Sequence, residues 1–383
     1  MRHYAANYIF DGKSLIKNSL ISIDESGKII FVGKENDALS EKPQMIFYNG
    51  ILCPGFVNAH CHLELSDYQK SDEKSKGLSY FITKILNQRK LFNDDKSIEF
   101  HDNYMYEKGI NLVADVVNTE KTLDIKTKSR ISYLNFIEIS CTNDLKSDSL
   151  LDRANNLADR YVSSGLSSYL TLHSFYASTK KLYDAILNNP HNKTLSIHFL
   201  ESDEELNFFN GKQNSLYNTI LEINPDYTPI SKNIDEIYDL LTGLSHKFRI
   251  ILVHNVATDT NKVKALKNCY FCLCPSSNIF LHDNLPNSEF VYDNIEKIIV
   301  GTDSIASNTE LDVFKEIKLL SRHYPALSLT ELLRTITSTG AEALDIPQYG
   351  KFSIGESPGV VLLNNIDLIN LKITEQSYVT RIV

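Results

Sequence analysis

The sequence predicts an α/β protein: a (β/α)8 barrel of the TIM type, with a small composite β-sandwich domain formed by both chain ends. Three observations carry this expectation. Between residues 53 and 344 short apolar runs alternate with helical stretches; counting "GILCPGFVNA", eight such runs occur, and eight β/α units in roughly 290 residues suit a barrel. Most of these runs are too apolar to alternate, as parallel strands covered on both faces should be. Residues 1–52 and 345–383 have a different texture, strands and turns without helices between them.

In chain order, "YAANYIF", "SLISI" and "IIFVG" are separated by "DGK" and "DESGK". The second break is a hairpin signal, with Gly27 able to take the positive-φ position. The apolar run "GILCPGFVNA" follows, and then a helix-like segment, "LSYFITKILNQRKLF". The remaining β-runs are "INLVADV", "ISYLNFIEI", "SSYLTLHS", "TLSIHFLES", "RIILVHNV", "YFCLCPSS" and "KIIVGTDS". Residues 210–229, "NGKQNSLYNTILEINPDYTP", read as an elaborated loop near the active face. In "TELDVFKEIKLLSRHY" the residues Leu311, Phe314, Ile317, Lys318 and Leu320 follow a helical period. Ser328 with Glu331 three positions on predicts a capping box. "GKFSI", "VVLLNN", "LKITE" and "YVTRIV" return to strand texture at the tail.

Bulk properties exclude some classes of function. The chain has 383 residues, 42% hydrophobic and 23% charged, with a formal net charge of −9. That balance argues against nucleic acid or acidic membrane surfaces as partners, since both need a basic face. No stretch approaches the ~18 uncharged apolar residues of a membrane span. The opening "MRHYAANYIFDGK" lacks the apolar run of a secretory leader. With six cysteines in so long a chain, reduced thiols and a cytoplasmic location are expected. A small-molecule substrate is the remaining partner.

A barrel carries its chemistry at the carboxyl ends of its strands. Those ends hold His60 and His62, Asp115, Glu138, His173, His198 with Glu201, His254, Cys274 to Asn278, and Asp303. A lone histidine there is usually a hydrogen-bonded structural residue. His60-x-His62 is different, because a strand period of two puts both rings on one side, about 6.5–7 Å apart along the strand. Two imidazoles aimed into one mouth can share a metal; imidazole with carboxylate suits zinc, with iron or manganese as alternatives.

"PGFVNAHCHLELS", "SIHFLESDEE", "LVHNV", "CPSSNIFL" and "GTDSIASN", in that order, resemble the amidohydrolase superfamily, and within it the mononuclear deaminase branch that acts on aminopurine nucleosides, S-adenosylhomocysteine, guanine and aminofutalosine. The resemblance covers nearly the whole chain. It implies one divalent metal held by His60, His62, His198 and Asp303, with Glu201 as proton shuttle and His254 beside the attacking water. It implies substrate contacts at Glu64, His173 and Ser304, and a homo-oligomer, most simply a dimer. Binuclear relatives bridge two metals with a lysine at the end of the fourth strand; "YLTLHS" has none before Lys180, which favours a single metal. Two departures stand out. Ser174 and Phe175 occupy a turn where relatives have a small residue and proline, and "FSIGESPGVVLL" replaces a usual Gly-Lys-x-Ala-Asp.

The expected chemistry is hydrolytic deamination. A site of this kind lowers water's pKa to about 7, Glu201 moves the proton to a ring nitrogen, and ammonia departs. The same shell would serve release of halide or opening of a cyclic amide or imidazolone, and a non-catalytic metal-binding relative is a further reading. Asp115 and Glu138 are open between strand-end hydrogen bonding and substrate contact. Cys61, Cys269, Cys272 and Cys274 read as buried structural thiols, Tyr80 and Phe81 as core packing, and His282 as a residue that lines the pocket.

Overall fold

The computed structural model describes residues 1–34, 45–68, 73–88 and 95–383. Its strands are β1 (Arg2–Phe10), β2 (Leu15–Ile23), β3 (Ile29–Lys34), β4 (Met45–Pro54), β5 (Phe56–Cys61), β6 (Ile110–Val117), β7 (Ser132–Ile139), β8 (Ser167–Leu172), β9 (Thr194–Phe199), β10 (Arg249–His254), β11 (Cys269–Leu273), β12 (Ile298–Val300), β13 (Val360–Asn364) and β14 (Tyr378–Arg381). The architecture is α/β.

Two four-stranded sheets hold the middle strands, β5-β6-β7-β8 and β9-β10-β11-β12, all neighbours parallel. Parallel bridges join them at both seams. Ser174 pairs with His198, and the His198 N–H donates to the His173 carbonyl at 2.9 Å. Cys61 pairs with Asp303, with the His60 carbonyl accepting from the N–H groups of Thr302 and Asp303 at 3.0 and 3.1 Å. Strand order thus follows sequence order from β5 to β12, and β12 meets β5. Alternation along the strands divides their side chains between two apolar clusters. Val57, Ala59, Ile251 and Val253 belong to one, and Phe56, Ile250 and Leu252 to the other.

The chain ends combine in a six-stranded sheet of order β14-β13-β4-β1-β2-β3. Where a β-sandwich is expected, the strands of both ends are linked in one hydrogen-bonded sheet, because β4 pairs with β1 on one side and β13 on the other, and Ile29 of β3 bonds back to Gly355 and Glu356 ahead of β13. Its faces separate with period two: Cys53, Val361 and Leu363 join the large core, while Leu52, Val360 and Leu362 pack with Tyr4, Ile9 and Ile21. The hairpin at "DESGK" forms between β2 and β3, with Gly27 at φ +84.

The run "GILCPGFVNA" is not one strand. It breaks at Gly55, where a Cβ would stand 2.3 Å from Asn111 Oδ1 and 2.4 Å from the Pro358 carbonyl; Pro54 ends β4 in one sheet and Phe56 starts β5 in another. Helix Val313–His323 buries Phe314, Ile317 and Leu320, and the Ser328–Glu331 capping box is present. Residues 210–229 contain a helix, Ser215–Ile223. Helix Leu78–Gln88 matches the segment expected after the first barrel strand, whose continuation, residues 89–92, lies outside the described residues.

Candidate active site

His60 ends in the interior with 1% of its surface accessible, and neither ring nitrogen has a hydrogen-bond partner. Such a ring is costly to bury unless something satisfies it. Around it stand His62 and His198, their ring centroids each 4.9 Å from that of His60. One ligand nitrogen from each of the three histidines can be chosen with all three within 4.8 Å of one another. His62 Nε2 lies 3.3 Å from His198 Nε2 and 3.8 Å from Asp303 Oδ1. Burial first, then the imidazoles of His62, His198 and His254, push His60 well below the usual histidine range. A neutral ring is the ligating form.

The surroundings orient these donors as a metal shell requires. His198 Nδ1 donates to the His173 carbonyl at 3.0 Å, leaving Nε2 toward the cluster. Asp303 Oδ2 accepts from Ser277 Oγ (2.6 Å) and Ser307 Oγ (2.8 Å), and Oδ1 from the Ser304 N–H (2.7 Å). Backbone strain collects here as well: Leu200, His254, Asn255 and Asp303 all have φ between +45 and +79, a region non-glycine residues seldom occupy away from functional sites. Glu138, His173 and His198 form a second group of close donors. His198 would enter that group through Nδ1, which the His173 carbonyl already engages, so the group reads as a hydrogen-bonded cluster.

Glu201 is buried just beyond β9. Its Oε1 lies 3.8 Å from His254 Nε2 and 3.6 Å from His282 Nε2. Burial raises its pKa, but His254, His282 and His198 outweigh that and hold the carboxyl well below its usual range. Asn278 Nδ2 donates to His254 Nδ1 at 3.1 Å, which leaves the proton of a neutral His254 on Nε2, toward Glu201. Helix Asp203–Phe209 begins immediately afterwards, capped by Ser202, so Glu201 itself is not its cap.

These groups share one cavity of about 330 Å³. His62, His173, His198, Glu201, His254, Asp303 and Ser304 form its floor. Helix Leu78–Gln88 supplies an apolar wall of Leu78, Phe81, Ile82, Ile85 and Leu86, and helix Ser215–Ile223 adds Ile220 and Ile223. Phe81, expected as core, lines this cavity, and Tyr80 is 39% exposed. An apolar helical stripe reads the same whether it faces a core or a binding cavity.

The structure brings nearly all the expected site residues together and sets Glu64 apart. The Glu64 carboxylate is taken up by the turn after β6, accepting from Asn118 N–H (3.0 Å), Thr119 N–H (3.1 Å) and Thr119 Oγ1 (3.0 Å), and it lines a neighbouring cavity instead. Asp115 is structural, holding the Leu63 N–H at 2.8 Å and pairing with fully buried Lys126 at 2.5 Å. Sequence reasoning did not assign the Glu138–His173 contact, the Ser277 and Ser307 bonds to Asp303, or the Asn278 bond to His254. "PSSN" and "SIAS" gave only the signal of short polar side chains beside strand ends. All six cysteines are buried and free.

A match to the model of the amidohydrolase family spans residues 51–380, and the chain belongs to that family. A curated adenosine deaminase of Helicobacter pylori is 24% identical, over 83% of this chain and 80% of the relative. The crystal structure of the Helicobacter pylori aminofutalosine deaminase with methylthio-coformycin superposes with a TM-score of 0.82 at 21% identity, covering 98% of this chain and 94% of that one. Atrazine chlorohydrolase from Arthrobacter aurescens, complexed with zinc, gives a TM-score of 0.71 at 18% identity over 94% and 86% of the two chains.

Proposed function

We propose that this chain catalyses hydrolytic deamination of an aminopurine nucleoside-like substrate, using one divalent metal, zinc before iron, held by His60, His62, His198 and Asp303. The observation that carries the reading is the orphaned ring of His60, buried against three further donors with Glu201 in the same cavity. Metal bound there supplies water that is ionised near neutral pH.

The protein's own groups then divide the work. Glu201 takes the proton from the attacking water and delivers it to the ring nitrogen beside the amine-bearing carbon, which becomes electrophilic; such transfers are worth about 10²–10⁴-fold. His254 directs its Nε2 hydrogen toward the developing charge on the attacking oxygen. Ser277 and Ser307 keep Asp303 aimed. Collapse of the tetrahedral intermediate releases ammonia. Ser304 and His173 face the part of the substrate away from the amine, and the wall of Phe81, Ile82, Ile85 and Ile220 covers its distal end. Glu64 acts at one remove, by fixing the turn at Asn118.

The eight parallel strands are read as one closed (β/α)8 barrel over 53–344, supported by the two seam bridges, with 1–52 and 345–383 as a second, β domain. Six buried thiols suit a reducing cytoplasm. Among the described residues no helix is long and apolar enough to cross a membrane. A C2 dimer is the simplest assembly; light scattering that gives a clean monomer at micromolar concentration would remove it.

The deciding experiment is ammonia release from adenosine, 5′-deoxyadenosine, aminodeoxyfutalosine and guanine, with chloride release from a chlorotriazine in parallel and metal content measured alongside. Ammonia from a nucleoside supports deamination. Chloride alone, or ring opening, moves the same shell to another hydrolysis, and inactivity of fully metal-loaded protein on every compound overturns the reading.

A further inference from the structure

Glu138, near the end of β7, is half-buried beside the histidine cluster, and the chemistry above gives it no part. Its Oε1 lies 2.8 Å from His173 Nδ1 and 3.4 Å from His198 Nδ1, and its Oε2 accepts from Asn118 Nδ2 at 3.3 Å. The Asn118 backbone is fixed in turn by Glu64, which also holds Thr119. The two partners differ in exposure: 26% of the His173 side chain is accessible, against 7% for Glu138. Both residues line the cavity, with His173 the more exposed of the two. With Nδ1 engaged, Nε2 is the nitrogen His173 can offer, and it lies 3.2 Å from Tyr176 Oη.

We propose that Glu138 is a positioning residue for substrate binding: by accepting the His173 Nδ1 hydrogen it fixes that ring so that Nε2 faces the substrate, while the Glu64–Asn118 brace holds Glu138 itself. The identity of the substrate rests on the deaminase reading; the contact does not. An imidazole free to turn about χ2 would exchange its two nitrogens at the cavity surface, and a carboxylate on one of them removes that freedom. Glutamine keeps an oxygen in the accepting position, and alanine does not.

The test uses the metal-loaded enzyme with selectively ¹⁵N-histidine-labelled protein. Wild type should show a downfield proton on His173 Nδ1, assigned by its loss in His173→Phe. That resonance should vanish in Glu138→Ala and persist, shifted, in Glu138→Gln, with metal content unchanged in both. In turnover, loss of a charge-assisted hydrogen bond should raise KM by roughly 10-fold or more in Glu138→Ala, with kcat changed much less and Glu138→Gln close to wild type. Adding Glu138→Ala to His173→Phe should cost nothing further, because the residue acts through the ring. An additional loss in the double variant means that Glu138 touches substrate directly and overturns the proposal. So does a missing resonance in wild type, or unchanged KM in Glu138→Ala. If wild type deaminates no nucleoside, the functional reading fails while the resonance still decides the Glu138–His173 contact. Should Glu138→Ala not fold, Glu138→Gln and the wild-type resonance decide it.

Discussion

Gly301 lies so close to His60 that a Cβ on the glycine would stand 2.6 Å from the histidine's Cβ and 2.8 Å from its backbone nitrogen and oxygen. This is where β12 meets β5; of the proposed metal ligands, His60 lies on that strand and His62 one residue past its end. The glycine is required by space. Gly301→Ala should displace β5 from β12, with an overpacking cost of about 1–3 kcal/mol and reduced metal content. Elemental analysis and urea unfolding check it; wild-type metal loading with unchanged stability would show that the seam has room to give.

Glu201 and His198 should fail in different ways. Glu201→Gln keeps nearly the same volume and removes none of the proposed metal donors. It should therefore retain metal and melting temperature while losing ~10²–10⁴-fold in kcat. His198→Ala should lose metal as well as activity. One metal per chain is expected in wild type, and two would contradict the single-metal shell. Near wild-type turnover by metal-loaded Glu201→Gln would remove the proton-shuttle assignment.

The pair of Asp115 and Lys126 is buried at zero side-chain exposure on both sides, with Lys126 Nζ also donating to Asn135 Oδ1 at 2.7 Å. Removing one member leaves a charge without its partner, which typically costs about 3–5 kcal/mol. Lys126→Met should lose stability on that scale in chemical denaturation. Asp115→Ala should in addition loosen the Leu63 N–H, one residue past His62, and weaken metal retention during dialysis against a chelator.

Glu316 gives a pH dependence of known sign. Burial, partly offset by bonds from the Ser276 N–H and the Asn308 amide, raises its carboxyl from 4.5 to about 7. The folded protein therefore binds this proton more tightly than the unfolded chain. The associated stability is fully present below pH 4.5 and is lost as pH rises through about 7. In Glu316→Gln that component is absent, so the fall in urea midpoint between pH about 5 and about 7 should be shallower than in wild type. Parallel slopes in the two proteins would refute it.

Much of the site was legible because strand ends concentrate function. His60, His62, His198, Glu201, His254 and Asp303 all stand where an apolar run stops; the cavity collects the last five, and His60 packs against His62 and His198 beneath it. Partners supplied by other elements were not legible. Glu138 and His173 come from neighbouring strands whose register no local pattern states, and the approach of His282 to Glu201 depends on where helix Pro275–His282 ends. The bonds of Glu64 to the turn after β6 were not legible either, because proximity to His62 in sequence says nothing of which donors reach its carboxylate first. The composite sheet shows the same limit. Alternation marked both chain ends as strands, but whether they form one sheet or two depends on the pairing of β4 with β13.

That pairing bears on how the protein is made. Leu52 on β4 faces Leu362 on β13 in the antiparallel register, so β4 leaves the ribosome roughly 300 residues before its partner, a wait of about 15–60 s at ordinary elongation rates. Throughout that interval one edge of β4 has open backbone donors and acceptors beside the apolar residues Ile51, Leu52 and Cys53, all buried in the finished protein. Nascent chains stalled before residue 360 should therefore bind a holdase chaperone or pair with one another through this edge, and release past β14 should end that association.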